Sequence, residues 1–357
     1  MSNYDTDVIE RSHNRRIAVW LFVCCLMVYA MVILGGATRL TGSGLSMVEW
    51  DPIFGVIPPL DQQTWDATFA LYKDSPEYKK INIGMDLEGF KRIYWYEFSH
   101  RLLGRTIGTV FLIPFLFFLF KGWVQRPLIP KLTVMFILGG LQGLLGWYMV
   151  KSGLVDNPHV SQYRLTAHLG LAVLIYAYML HVALGLWHGR QQTTAVSSSV
   201  QRATGLLGIA VFITILSGGF VAGLKAGFAY NTFPLMDGHW VPEVIFMQEP
   251  LWRNFFENIA TVQFGHRVLA TLVFFGVIIL WVTGIRQQLP AAARNGLHLL
   301  LATALLQVAL GISTLLMHVP IVLAVTHQGG ALLLLTAVIY ARKRMSATAP
   351  AGKYPPG

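Results

Sequence analysis

Apolar residues in this chain come in long uncharged blocks. Six of them, at 17–36, 132–150, 165–187, 203–224, 296–317 and 319–341, contain no Asp, Glu, Lys or Arg. Two more follow charged lead-ins: 102–120, which keeps Arg105 in its first turn, and 261–285, which contains His266 and Arg267. An α-helix rises about 1.5 Å per residue, so roughly 20 apolar residues cross the ~30 Å hydrocarbon core of a bilayer. The pattern predicts an all-α integral membrane protein of eight transmembrane helices. Hydrophobic residues fill 54% of the 357 positions and charged residues 12%, a balance suited to lipid as solvent. Between spans, Ile57-Pro58-Pro59 predicts ordered turns, and the Lys/Glu-bearing segment 73–92 predicts a short amphipathic helix at the interface.

Charge orients the spans. Segments 121–131, 188–202, 286–295 and 342–357 carry Lys and Arg but no acid. Of the 17 acidic residues, 14 fall in the opposite set of segments and three in the first ten positions. Basic loops stay on the cytoplasmic side, which puts both termini there. The net charge of +10 therefore reports topology and gives no reason to expect nucleic acid. Asp5, Asp7 and Glu10 precede Arg11, Arg15 and Arg16, unlike the acid-poor pattern of a mitochondrial transit peptide, so the expected location is a bacterial plasma (inner) membrane. The apolar run that follows has no small-residue cleavage site and is read as a retained first helix. Cys24 and Cys25 sit side by side within it and cannot staple an outer loop.

The chain also matches itself. Phe98-Ser99-His100-Arg101-Leu102-Leu103 in the second span parallels Phe264-Gly265-His266-Arg267-Val268-Leu269 in the sixth, at an offset of 166. Leu141-Gln142 and Gly146 parallel Leu306-Gln307 and Gly311, and His168 parallels His327 at an offset of 159. Gly35-Gly36 followed by Gly44 parallels Gly218-Gly219 followed by Gly227, at an offset of 183. Four spans are thus used twice, in halves 1–194 and 195–357. An even number of spans per unit returns the second unit in the orientation of the first, so equivalent residues share a depth. The expected architecture is two pseudo-twofold-related four-helix bundles.

His100, His168, His266 and His327 each fall one or two turns inside the outer end of a span that runs inward. Polar groups there are costly unless they face the bundle interior and find a partner. Two neutral imidazoles on neighbouring helices suit the two axial positions of one haem iron, which gives one candidate pair per half. The plainer reading is that these histidines pack or hydrogen-bond across helices. Zinc would need three or four ligands within one unit, which neither half offers without folding around it. A stack of two haems at different depths would need second histidines about 13 or 14 residues along each ligand helix, where helical phase returns to the same face. His181 meets that spacing, but Ile113, Ile279 and Tyr340 occupy the other three positions. His181, His188 and His298 read as inner-side polar residues, and His13, His159, His239 and His318 as surface or loop residues.

Differences between the halves bear on chemistry. Glu97 stands three before His100 on the same helix face, where the second half has Gln263. A carboxylate there can relay protons or orient water beside an iron; it can equally pair with Arg101 or Arg105 along the same face. Arg39, Arg101, Arg164 and Arg267 stand where haem propionates would emerge, and also where interfacial arginines snorkel.

The segments GGATRLTGSGL at 35–45, EFSHRLLGR at 97–105, TAH at 166–168, NTFPLM at 231–236, FGHR at 264–267 and THQ at 326–328 together resemble the haem A synthase family. Its bacterial and mitochondrial members oxidise a methyl group of haem O to the formyl group of haem A. The resemblance implies that His266 and His327 hold a haem b cofactor, while His100, His168 and Glu97 form the catalytic site for substrate haem O. It implies two successive hydroxylations of one methyl carbon to a geminal diol that loses water, with haem b relaying electrons. The partners it implies are the lipid bilayer, a haem O synthase, an electron donor or acceptor and, for assembly, a second copy of the chain. Some bacterial members carry a cysteine pair in the first outer loop; this chain has none there, so no thiol step is implied. A di-haem electron-transfer protein and a haem transporter or chaperone are the readings from other classes.

Overall fold

A computed structural model of the protein describes residues 3–49, 55–154, 158–189 and 196–345, with side chains from residue 8. The expected boundary between halves at 194/195 and the tail 346–357 lie outside the described residues. In chain order the helices are α1 (Asn3–Leu40), α2 (Gln62–Lys73), α3 (Pro76–Lys80), α4 (Leu87–Phe120), α5 (Ile129–Gly153), α6 (Gln162–His188), α7 (Ser198–Gly223), α8 (Asn254–Glu257), α9 (Ile259–Arg286), α10 (Ala291–Leu316) and α11 (Ile321–Met345). Eight of those described, all but α2, α3 and α8, are long and apolar enough to cross a membrane.

The uncharged blocks locate these spans but understate α4, which begins at Leu87, several turns before the block at 102–120. Asp86 caps it, accepting from the Gly89 amide at 2.8 Å. At ~1.5 Å per residue this helix runs about 50 Å, well beyond a ~30 Å hydrocarbon core, so its first turns project from the bundle. They are covered by α2, which lays Trp65, Phe69 and Tyr72 on Phe90, Tyr94 and Phe98. The amphipathic helix expected at 73–92 is therefore corrected. The helix is α2, opened by Asp61 accepting from Thr64 N; Ser75 and Pro76 start α3; Gly84, at φ +82°, ends that segment, and residue 87 onward belongs to α4. Caps and turns set these limits, whereas charge does not even mark one side: Lys79 and Lys80 are exposed and Glu77 is buried.

Pro114 lies inside α4. Proline cannot donate to the carbonyl four residues back, so Val110 O loses its helical partner. The indole Nε1 of Trp20 on α1 donates to it at 2.8 Å, which repairs the gap and ties the two spans together.

Packing follows the same order in both halves. α1 lies on α4 and α6, with α5 on α6; α7 lies on α9 and α11, with α10 on α11. The halves meet through α1 with α11, α6 with α7, and α6 with α11. Arg39, near the end of α1, donates to the carbonyl of Ala222, near the end of α7. The two long connections, 41–86 and 224–258, thus leave from one face of the bundle.

Candidate functional site

Each of the four histidines stands against a glycine on a neighbouring span. A Cβ added at Gly35 on α1 would lie 3.0 Å from Cε1 of His100 on α4, and one at Gly146 on α5 would lie 3.0 Å from Cε1 of His168 on α6. In the second half, a Cβ at Gly218 on α7 would lie 3.2 Å from Cε1 of His266 on α9, and one at Gly311 on α10 would lie 2.8 Å from Cε1 of His327 on α11. The imidazoles occupy volume that any larger residue would claim. In each half the first and third spans supply the glycine, and the second and fourth the histidine.

The spans carry a second matched contact. Gln142 Nε2 donates to His168 O at 3.0 Å, and Gln307 Nε2 donates to His327 O at 3.0 Å. Each amide fixes the backbone from which a histidine projects. Elsewhere, His188 Nδ1 meets Arg344 and His298 accepts from Trp281 Nε1 at 3.0 Å, so these two are engaged away from the matched set.

These pairs fit an iron porphyrin better than a plain packing role. Histidines kept only to bond across helices should have partners, yet Nδ1 of His100, His168 and His327 is buried without one, although Nε2 of His168 does lie 3.3 Å from Gln142 Nε2. The exception is His266, whose Nδ1 lies 2.7 Å from Ser217 Oγ. His100 and His168 stand on α4 and α6, which both pack on α1, and His266 and His327 stand on α9 and α11, which both pack on α7. Among the described residues no three His, Cys, Asp or Glu side chains converge as a bare metal ion would need. Two imidazoles suffice for an iron whose four other ligands arrive with it as pyrrole nitrogens.

Glu97, 3% exposed, has both oxygens occupied. Oε2 accepts from Ser46 Oγ at 2.7 Å and from the Met47 amide at 2.8 Å, while Oε1 accepts from Arg101 Nη2. Of the two arginines sharing its face, Arg101 is its partner; Arg105 turns instead to Gly55 O at 2.8 Å. Ser46 and Met47 were not legible as partners, since they lie in a loop far from Glu97 in sequence.

The second half builds the same latch with a neutral residue. Gln263 Nε2 donates to Ala226 O at 3.1 Å and Tyr230 O at 3.2 Å. Arg101 donates to Met47 O and Glu49 O, each at 2.9 Å. Arg267 donates to Tyr230 O at 2.8 Å and Thr232 O at 2.9 Å, the carbonyls 183 positions on. Glu97 and Gln263 thus hold equivalent loops, one by accepting with a negative charge and the other by donating without one.

The arginines considered for propionates are largely spent on backbone. Arg39, Arg101 and Arg267 bind carbonyls, and Arg164 lies 4.8 Å over the Tyr148 ring. Beside Arg101 is a cavity of ≈ 280 Å³ lined also by Met47, Val48, Trp147, Val150, Lys151 and Leu154. Lys151, whose Nζ lies 4.8 Å over Trp147, brings a second cation to that cavity. Sequence reasoning passed over Lys151, although it is the one charged residue in the last turn of α5.

A family model for the cytochrome oxidase assembly protein COX15-CtaA matches residues 18–339. The chain belongs to this family. It is 56% identical over 329 residues to the haem A synthase of Nitrosospira multiformis, with 92% of each chain covered. It is 51% identical over 334 residues to that of Nitrosomonas eutropha, covering 92% of this chain and 94% of the other. With the haem A synthase of Wolbachia pipientis wMel it shares 43% identity over 325 residues, 91% of each. Membership of COX15-CtaA therefore extends through both halves, as the motifs from 35–45 to 326–328 imply.

Proposed function

We propose that this chain is a haem A synthase, which oxidises a methyl group of haem O to the formyl group of haem A for assembly of a terminal oxidase. The observation that carries this is the pairing of buried imidazoles with glycines twice in each half, in a chain similar along its length to haem A synthases. His266 and His327 hold haem b, and His100 and His168 hold substrate haem O. The acid-free loops at 121–131 and 286–295 support a cytoplasmic position for the termini, with the long connections outward in a bacterial inner membrane.

The reaction removes four electrons from one methyl carbon in two hydroxylations, and the resulting geminal diol loses water to leave the aldehyde. When bound, haem b supplies one-electron chemistry linking the substrate site to an external redox partner. The chain's own residues bind and position. Gly35 and Gly146 leave room for the first-site rings, and Gln142 holds the backbone of His168. Lys151 offers positive charge to a substrate propionate at the ≈ 280 Å³ cavity, while Arg101 beside it is engaged by Glu97 and the loop carbonyls. Glu97 is the one carboxylate within a helical turn of any of the four histidines. We assign it proton handling at the first site, with Arg101 and Ser46 fixing its position.

Pigment analysis tests this. Coexpressed with a haem O synthase, the wild-type chain should yield haem A, identified in extracts by chromatography and mass. Glu97→Ala, His100→Ala and His168→Ala should abolish haem A while leaving haem b bound, and His266→Met or His327→Met should alter or lose the haem b. Persistence of haem O alone with wild type rejects the assignment, and two identical retained haems would indicate an electron carrier.

A further inference from the structure

Around their histidines the halves share the glycine contacts and the glutamine bonds to the His168 and His327 carbonyls, and they differ in two places: Gln142 Nε2 also lies 3.3 Å from Nε2 of His168, and the residue one before the glycine that faces each α4 or α9 imidazole is not the same. In the second half this residue is Ser217, whose Oγ lies 2.7 Å from Nδ1 of His266 and 2.7 Å from the carbonyl of Thr214. A hydroxyl has one proton, and a carbonyl can only accept. The Ser217 proton therefore goes to Thr214 O, and its oxygen accepts from Nδ1–H of His266. A neutral imidazole protonated at Nδ1 carries its lone pair at Nε2, the nitrogen left to bind iron.

The first half lacks this bond. The residue 183 positions before Ser217 is Leu34, which offers no polar atom, and Nδ1 of His100 is buried without a partner. Gly35 and Gly218 receive the two rings in the same way, so the difference is one of hydrogen bonding and not of packing.

We propose that Ser217 is a positioning residue that makes the second site the permanent one. By accepting from Nδ1–H it fixes the tautomer and orientation of His266 and strengthens Nε2 as an iron donor. Leu34 leaves His100 without that support, which suits a site whose haem must arrive as substrate and leave as product. The inference rests on the reading that His266 and His327 hold haem b.

The test uses full-length chains purified in detergent: wild type, Ser217→Ala, Ser217→Thr and Leu34→Ser. Haem b per polypeptide, the rate of haem transfer to added apomyoglobin, and the midpoint potential of the retained haem are measured. Ser217→Ala should release haem b roughly tenfold or more faster, the usual effect of losing an outer hydrogen bond to a ligand. Its potential should rise, because a weaker donor stabilises ferric iron less. Ser217→Thr, which keeps the hydroxyl, should match wild type in both. Leu34→Ser should slow haem release from the first site. Ser217→Ala with wild-type release and potential overturns the proposal, as does Leu34→Ser without effect on first-site release. His266→Ala and His100→Ala separate the two levels of argument. If the firmly held haem disappears with His100→Ala instead of His266→Ala, the assignment of sites fails and the inference falls with it. If it disappears with His266→Ala but survives Ser217→Ala unchanged, only the inference fails.

Discussion

Four absent side chains shape the two sites as much as four imidazoles do. At Gly311 a Cβ would come within 2.8 Å of the His327 ring, closer than packed carbon atoms tolerate, and the ring would have to shift. Overfilling a packed interior costs about 1–3 kcal/mol, roughly 5- to 150-fold in an equilibrium constant. Gly311→Ala is therefore expected to lower haem b retention by that order, measured as haem per polypeptide after purification. Gly143→Ala, where an added Cβ meets nothing within 4 Å, is the matched control and should retain haem as wild type does. At this scale much was legible in the chain. His100 with His266, and Gly35-Gly36 with Gly218-Gly219, repeat because helices hold register, so equal neighbours in sequence become equal neighbours in space. The Ser217 bond was not legible, since it depends on a position where the repeat fails. Nor was the engagement of Glu97 by Ser46 and Met47, because a loop has no periodicity from which so distant a contact could be projected.

Among the elements, the layer of α2 and α3 on the projecting turns of α4 carries the clearest pH dependence. Glu77, at the start of α3, is 5% exposed. Tyr72 on α2 donates to its Oε2 at 3.2 Å and accepts from Asn82 Nδ2 at 2.7 Å. Burial pushes the Glu77 carboxyl up to about 7, with the Tyr72 bond opposing and the charge of Glu97 adding to the rise. The folded layer thus binds a proton more tightly than the unfolded segment does. Its stability is fully present below the ordinary glutamate range near 4.5 and is lost as pH rises through about 7. The whole effect is about 3 kcal/mol between those limits. Hydrogen exchange across 62–98 should quicken from pH 5 to pH 8, after correction for the intrinsic pH dependence of exchange, and Glu77→Gln should flatten that trend and protect the layer at pH 8. Equal protection at both pH values in the unaltered chain would contradict it. Charge alone placed an amphipathic helix at 73–92; the caps Asp61, Ser75 and Asp86, which that reading did not consider, mark the true elements.

At the scale of the molecule, the second glycine of each pair joins the halves. Gly36 on α1 faces Gln328, the residue after His327, and a Cβ there would lie 2.5 Å from its Oε1. Gln328 Nε2 in turn donates to Val32 O at 2.9 Å. Gly219 on α7 faces Thr166, two before His168, where a Cβ would lie 2.9 Å from Oγ1. Each Gly-Gly pair therefore admits a histidine of its own half with one residue and the histidine-bearing helix of the other half with the next. Helices in lipid approach closely only where small residues allow it, so a bulky side chain must push the facing helix away. Gly36→Leu lies in the first half, yet it should disturb the second: haem b retention and midpoint potential should change through displacement of α11 at Gln328. Gly219→Leu should act in the opposite direction across the interface, weakening the hold of His168 on substrate while haem b stays bound. If Gly36→Leu folds and keeps haem b with unaltered potential, the sites are mechanically independent, and the contact between α1 and α11 serves only to assemble the bundle.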